Sequence, residues 1–349
     1  MFKVRVDTGG TFTDCRGQES DSASPTLVKV LSSGVLRVAV LEQVSSHSIR
    51  VEIPTGWKTP DGFFREYSLS ADITTRVLDY ETATATIHTT DPVDAGESID
   101  LFTGEEAPVI GARLLTGTAL AEEFPPMDFR LATTRGTNAL LERKGAPLAF
   151  FTTKGFGDLL TIGDQRRPDL FALQHQRPAP LFQRVIEVEE RIDAEGRILT
   201  PLQFDTDIDA LLDSGVRVAA VALLHSYRNP VHEEQLREIL QSRGFDHVSI
   251  SSELAPLIKI LPRARTAVTN AYLQPVMQGF LDHIHQSVGK DSPLLTMTSA
   301  GGLEPIETYT PKDALLSGPA GGVAGAAAVA QDLGFQKILT FDMGGTSTD

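Results

Sequence analysis

An α/β fold with a β-rich insertion is predicted by three observations. From Asp128 onward, apolar runs of strand length alternate with amphipathic stretches of helix length, as when crossover helices join strands. Residues 32–126 instead hold short β-branched runs between turn signals. A strand leading into Asp-x-Gly-Gly-Thr occurs twice, at Asp7–Asp14 and at Asp342–Asp349.

The elements follow in order. Phe2–Val6 alternates and runs into Gly9-Gly10, which predicts a first strand and a tight turn. The Ser/Asp-rich stretch Gln18–Pro25 is a surface turn before a strand at Leu27–Leu31. Val35–Leu41, Ile49–Ile53 and Thr82–Thr90 read as strands, with turns at Pro54–Gly56 and Pro60–Gly62. Together they predict a small antiparallel subdomain over 32–126, the alternative being a long structured flap over an active site. Beyond it come a strand at Phe129–Thr133, a helix at Thr134–Lys144 and a strand at Leu148–Thr152. A helix at Asp205–Leu212 precedes the apolar strand Val216–Leu224, and a helix at His232–Arg243 precedes a strand at His247–Ser251. Ala264–Val288 reads as one long helix with Val268, Tyr272, Val276, Phe280 and Ile284 on one face and a kink at Pro275. Lys337–Phe341 reads as a closing strand. The expected division is a first lobe of 1–31 and 127–336, the insertion 32–126, and 337–349 opening a second lobe.

With 349 residues there is room for about two or three domains. The chain has 31 Lys+Arg against 46 Asp+Glu, a net charge of −15, and no long basic run, which disfavours nucleic acid. A single cysteine, Cys15, excludes an internal disulfide and a thiolate zinc cage. The start MFKVRVDTGG lacks the regions of a secretory signal, and the weakly polar stretch 314–330 is broken by Ser317, Pro319 and glycines. A cytoplasmic protein with no membrane contact is expected.

The two Asp-x-Gly-Gly-Thr segments agree at six of eight positions and lie 335 residues apart. Glycines let backbone N–H groups turn inward around an anion, and threonine hydroxyls add donors. An aspartate at a strand end suits hydrated Mg²⁺, which takes one or two carboxylates plus phosphate oxygens. Neither G-x-x-x-x-G-K-[ST] nor a strand-borne G-x-G-x-x-G occurs, which argues against a P-loop and a Rossmann site. Thr134-Arg-Gly-Thr-Asn138 lies where a strand gives way to a helix, a place for an anion, with Thr134 or Thr137 as a plain helix cap in the alternative. Gly318–Gly322 permits close approach to a ligand or, equally, close helix–strand packing. Arg166, Arg167, Arg263 and Arg265 are candidates for a substrate carboxylate, with surface ion pairs as the alternative.

The paired hairpins resemble those of the actin, Hsp70 and sugar-kinase ATPase superfamily. More narrowly, Asp7–Asp14, Thr133–Gly145, Thr153–Phe156, Asn270–Pro275, Ser317–Gly322 and Asp342–Asp349 resemble the hydantoinase A/5-oxoprolinase family. Ile162–Gln165 through Asp169–Phe171, Leu224–Tyr227 and His247–Glu253 are most similar to the N-terminal part of its 5-oxoprolinase branch. The resemblance implies an actin-like (ribonuclease H-like) ATPase fold, first half plus the start of the second, using ATP and Mg²⁺ to open a lactam through phosphorylation of its oxygen. It implies Asp7 and Asp342 as catalytic and Mg²⁺-orienting groups, with Arg135 and Asn138 as further catalytic candidates. It assigns phosphate binding to Gly9, Gly10, Thr11, Thr13, Gly344, Gly345 and Thr346. Expected partners are a small lactam substrate, a hydantoinase B-type subunit or fused region, and further copies of the chain. The chain stops at Asp349, so the adenine pocket and full turnover are expected to need more than these residues. Other readings are an ATP-dependent hydantoinase, the ATPase subunit of a ketone carboxylase, and a nucleotide-dependent actin-like scaffold.

Overall fold

Alternating burial along Phe2–Thr8 (β1), Phe12–Gln18 (β2) and Thr26–Leu31 (β3) turns Val4, Val6, Cys15, Val28 and Val30 to one face. The computed structural model describes residues 1–20, 24–69, 74–94, 96–166, 171, 178–341 and 343. They divide into two compact units, Met1–Thr137 with Gly279–Tyr309 and Asp313–Asp349, and Asn138–Gln278 with Thr310–Lys312.

In the first unit β1, β2 and β3 form an antiparallel meander. The next strands are Val35–Ser45 (β4), Ser48–Val51 (β5), Val77–Glu81 (β6), Thr86–Thr89 (β7) and Ser98–Phe102 (β8). They pair in the order β6-β7-β5-β4-β8 as an antiparallel sheet of their own. Phe63, Phe64, Tyr67 and Tyr80 fill its core with edge-to-face ring contacts, such as 4.8 Å between the centroids of Phe64 and Tyr80. The helix Ala107–Thr116 (α1) was not expected inside this β-rich stretch. Proline in its first turn and Gly117 in the left-handed region (φ 77°) delimit it, and its apolar residues lie buried. It packs on the meander so closely that a Cβ at Gly111 would stand 2.2 Å from Cys15 Sγ.

Met127–Thr133 (β9) runs parallel to β1 and leads into the helix Arg135–Leu141 (α2). The second unit then builds a sheet from Leu148–Thr153 (β10), Arg184–Ile192 (β11), Ile198–Gln203 (β12), Val218–Ala222 (β13) and His247–Ile250 (β14). Its order is β12-β11-β10-β13-β14, parallel except for β12. Every residue of β10 and β13 is buried, as strands covered on both faces require. The helices between them are Leu159–Ile162 (α3), Asp209–Asp213 (α4), Val231–Ser242 (α5) and Ser251–Leu254 (α6). The helix Ile260–Val288 (α7) follows, carrying Pro275 within it. Back in the first unit, Leu294–Met297 (β15) pairs with β9 and with Leu303–Pro305 (β16), giving the six-stranded order β16-β15-β9-β1-β2-β3. Ser317–Asp332 (α8) follows.

The fold is therefore α/β. Two further expectations differ from it. Thr82–Ala85 is a turn, with Ala85 at φ 52°, because β6 must reverse there to pair with β7. Residues 337–341 form no strand, since no ladder joins them to a described strand. Among the described residues no helix is long and apolar enough to cross a membrane.

Candidate functional site at the β1–β2 turn

The β1–β2 turn is closed by the Gly9 N–H, which donates to Phe12 O at 3.0 Å. A Cβ on Gly9 would sit 3.1 Å from that oxygen. The register sets Asp7 opposite Asp14 and Thr8 opposite Thr13. Opposed residues share a face, so both carboxylates lie on the exposed side of the hairpin. Asp14 is engaged there by Lys29 Nζ at 2.9 Å. Gly10 and Thr11 are exposed at the tip.

Thr13 departs from its expected role. It is fully buried, and its hydroxyl is shared with Ser32 Oγ at 2.9 Å. Period-two alternation puts it on the core face with Cys15, where it locks the hairpin. Thr8, which the sequence did not single out, is also buried, and its Oγ1 lacks a hydrogen-bond partner among the described residues. Cys15 is a packing residue. Burial, then the charges of Asp14 and Asp7, push its thiol well above the usual range, so it stays protonated.

Three other singled-out segments meet the hairpin at the carboxyl ends of β1 and β9. The Thr134 N–H donates to Thr8 O at 2.9 Å, so the exit from β9 lies against the β1–β2 turn. Ser317 Oγ donates to Thr133 O at 2.9 Å, and Thr137 Oγ1 donates to Leu315 O at 2.7 Å. At the start of α8 a Cβ on Gly318 would be 3.0 Å from Thr134 Cγ2, and one on Gly321 would be 3.6 Å from Ala132 Cβ. Gly318 and Gly321 thus permit close helix–strand packing beside the turn, whereas Gly322 and Gly325 face open space. Ser299 supports the same junction, its Oγ donating to Asp313 O at 2.6 Å and accepting the Leu316 N–H at 3.0 Å.

The α2 entrance is built differently from expectation. Thr133 Oγ1 accepts the Arg135 N–H at 3.1 Å, closing the turn into α2, and Thr137 donates its hydroxyl to Leu315 O instead of capping the helix. The Arg135 guanidinium is not left open for an anion. It pairs with Glu106 at 3.0 Å and lies 4.6 Å from the centre of the Phe280 ring. Asn138 is half-buried on α2 and belongs to the second unit. Asp342, Gly344, Gly345, Thr346 and Asp349 of the second motif lie outside the described residues, as do Arg167 and Asp169.

Of the other arginines, Arg263 is fully buried, with Glu233 at 3.7 Å, so it cannot meet a substrate. Arg166 is exposed beside Asp164 at 3.4 Å. Arg265 lines a cavity of the second unit.

The β1–β2 turn fits a magnesium-bound phosphate from one side. Asp7 offers a hard oxygen at a strand end, Gly9 and Gly10 keep the backbone approachable, and Thr11 presents a hydroxyl. No group of three or more His, Cys, Asp or Glu that could hold a metal exists among the described residues. A magnesium ion at Asp7 would therefore depend on phosphate oxygens for its remaining ligands.

The sequence matches the family description "Hydantoinase/oxoprolinase N-terminal region" over residues 86–244 and "Hydantoinase/oxoprolinase" over 263–349. It is 40% identical to 5-oxoprolinase 1 of Arabidopsis thaliana over 288 residues, covering 72% of this chain and 23% of that protein. The chain spans 22–23% of the length of the first curated relatives it matches. Its fold is shared with a nucleotide-free acetone carboxylase (TM-score 0.65, 21% identity, 99% of this chain and 43% of that one). It is also shared with an ATP-dependent caprolactamase from Pseudomonas jessenii (TM-score 0.58, 23% identity, 99% and 43%).

Proposed function

The chain belongs to the hydantoinase/oxoprolinase family, and on that premise we propose that it carries a phosphate-gripping part of an ATP-dependent cyclic amide hydrolase acting on 5-oxoproline. The observation that supports this most is the convergence of the Asp7 turn, the Thr133–Arg135 exit of β9 and the Ser317 start of α8 at one end of the six-stranded sheet.

A lactam is a poor electrophile, and ATP supplies the phosphoryl group that turns its oxygen into a leaving group. The protein's part in such a transfer is positioning and neutralisation of charge. Asp7 orients the metal-bound phosphate from the strand end. The Gly9-Gly10 backbone allows close approach, and Thr11 donates a hydrogen bond. On this reading Asp342, Gly344, Gly345 and Thr346 are further metal- and phosphate-binding groups. A B-type region supplies the groups that complete ring opening. Glu106 holds the Arg135 guanidinium near the β9 exit, so Arg135 meets a transferring phosphoryl group only by exchanging that partner.

The test is a substrate panel with the B-type partner present: 5-oxoproline, hydantoin, and acetone with bicarbonate, each with Mg·ATP. Release of ADP matched by glutamate with 5-oxoproline alone is the expected result. ADP release driven by hydantoin or by the ketone instead would replace the substrate assignment and leave the phosphate grip. Nucleotide binding without stimulation by any of the three would favour the scaffold reading.

A further inference from the structure

The second unit contains a cavity of about 320 Å³ that the β1–β2 turn does not explain. Leu140, Leu160, Leu181, Phe182 and Val268 give it apolar walls. Its volume lies at the small end of the range of about 300–1,000 Å³ usual for ligand clefts. We propose that this cavity binds a small carboxylate with a compact apolar body, the anion held by Arg265.

Arg265, Val268 and Thr269 all line the cavity and stand at i, i+3 and i+4 along α7, so one helix face supplies a cation, an apolar wall and a hydroxyl together. The cavity has a second guanidinium, Arg143, and the two differ in what they do. Arg143 Nη2 donates to Ala179 O at 2.7 Å, which fixes the wall formed by residues 178–182. Arg265 has no ion pair or hydrogen bond among the described residues. Its guanidinium lies over Gly163, where a Cβ would be 3.2 Å from Nη2 and where φ is 63°. Both facts favour glycine at that position. A guanidinium with a planar fork of donors, without a partner among the described residues and standing beside apolar walls, matches a carboxylate. Surface arginines of this acidic chain are generally paired, for example Arg37 with Asp100 at 2.7 Å and Arg197 with Asp193 at 2.7 Å. Among the described residues Arg265 shares this lack of a side-chain partner with Arg16, Arg76, Arg184 and Arg228, and of these five it is the one that lines the cavity.

The carboxylate class rests on the cavity alone, whereas 5-oxoproline as its natural occupant rests on the reading under Proposed function. Calorimetric titration of the 349-residue chain, without nucleotide, separates the two. The probes are 5-oxoproline, cyclopentanecarboxylate and 2-pyrrolidinone, against wild type, Arg265→Gln and Leu160→Trp. Both acids are expected to bind, with 2-pyrrolidinone weaker by about tenfold or more, as loss of a charge-assisted pair implies. Arg265→Gln, an exposed position, is expected to weaken the acids by a similar factor at unchanged melting temperature, and Leu160→Trp to block them by filling the cavity. Binding of cyclopentanecarboxylate without 5-oxoproline would uphold the carboxylate site and remove the lactam acid as its ligand. Failure of both acids to bind, or affinity unchanged in Arg265→Gln, would overturn the proposal.

Discussion

The charged groups around Arg263 and those around Asp7 sit in opposite surroundings. Arg263 sees no solvent. Its guanidinium donates to Ser226 Oγ, Ser251 Oγ and Leu223 O, and Glu233 is 3.7 Å away. Glu233 in turn accepts from Leu223 N at 2.8 Å, Ser251 Oγ at 2.7 Å and Ser252 N at 2.8 Å. Burial pulls the Arg263 pKa down from its usual value, and the nearby Glu233 charge opposes that shift. Asp7 lies exposed at a strand end beside a glycine turn. Charge that is enclosed and nearly saturated by its own chain holds a fold together. Charge at an exposed strand end, as at Asp7, is within reach of a ligand from solvent.

Removing either kind of charge should therefore have opposite signatures, and the largest effect on stability belongs to the buried pair. Arg263→Met leaves Glu233 buried without its cation and is expected to cost about 3–5 kcal/mol in urea denaturation. A loss under 1 kcal/mol would mean that the cluster is not a structural anchor. Gly111→Ala comes next, at about 3 kcal/mol, because its Cβ would stand 2.2 Å from Cys15 Sγ inside a packed helix–sheet contact.

Asp128 is an intermediate case, four-fifths buried and bonded by Arg5 at 2.7 Å and Arg130 at 3.2 Å. Burial alone would raise its pKa, but the hydrogen bonds and charges of Arg5 and Arg130 outweigh it and hold the carboxyl below the usual range. A depressed folded-state value means that this stabilisation is complete above about pH 4, the unfolded value, and is lost as pH falls through the lower folded value. Asp128→Asn is expected to cost about 2 kcal/mol at pH 7 and to flatten the acid limb of the stability curve. An unchanged acid limb would contradict the assignment. Thr13→Val, which removes the hydroxyl shared with Ser32, is expected to cost about 1 kcal/mol. Asp7→Asn should change stability least, by no more than about 0.5 kcal/mol.

The same contrast explains how much the sequence reveals. The β1–β2 hairpin is legible because strict alternation flanks a Gly-Gly turn, and both signals are local. The junction of Thr134, Ser317 and the hairpin is legible only as separate segments, since their meeting depends on β9 pairing with β1 across more than a hundred residues. Helix α1 escaped notice because Pro108 and Gly111 interrupt an apolar run in a stretch rich in strand signals, and its helicity is underwritten by packing on Cys15 and Gly17. Thr82–Ala85 has strand composition but forms the reversal between two strands. Arg263 and Arg265 are two positions apart in sequence, and only the helix phase separates an enclosed guanidinium from an open one. Thr13 and Arg135 fit a phosphate site by residue type, but burial with Ser32 and pairing with Glu106 give them other immediate partners.

The measurement that bears most directly on the central claim is ATP turnover by wild type and Asp7→Asn with 5-oxoproline, Mg²⁺ and the B-type partner, melting temperatures being recorded alongside. Matched ADP and glutamate from the wild type, and neither from a variant that melts at the same temperature, is the predicted result. Full turnover by Asp7→Asn would show that the β1–β2 turn does not grip the phosphate.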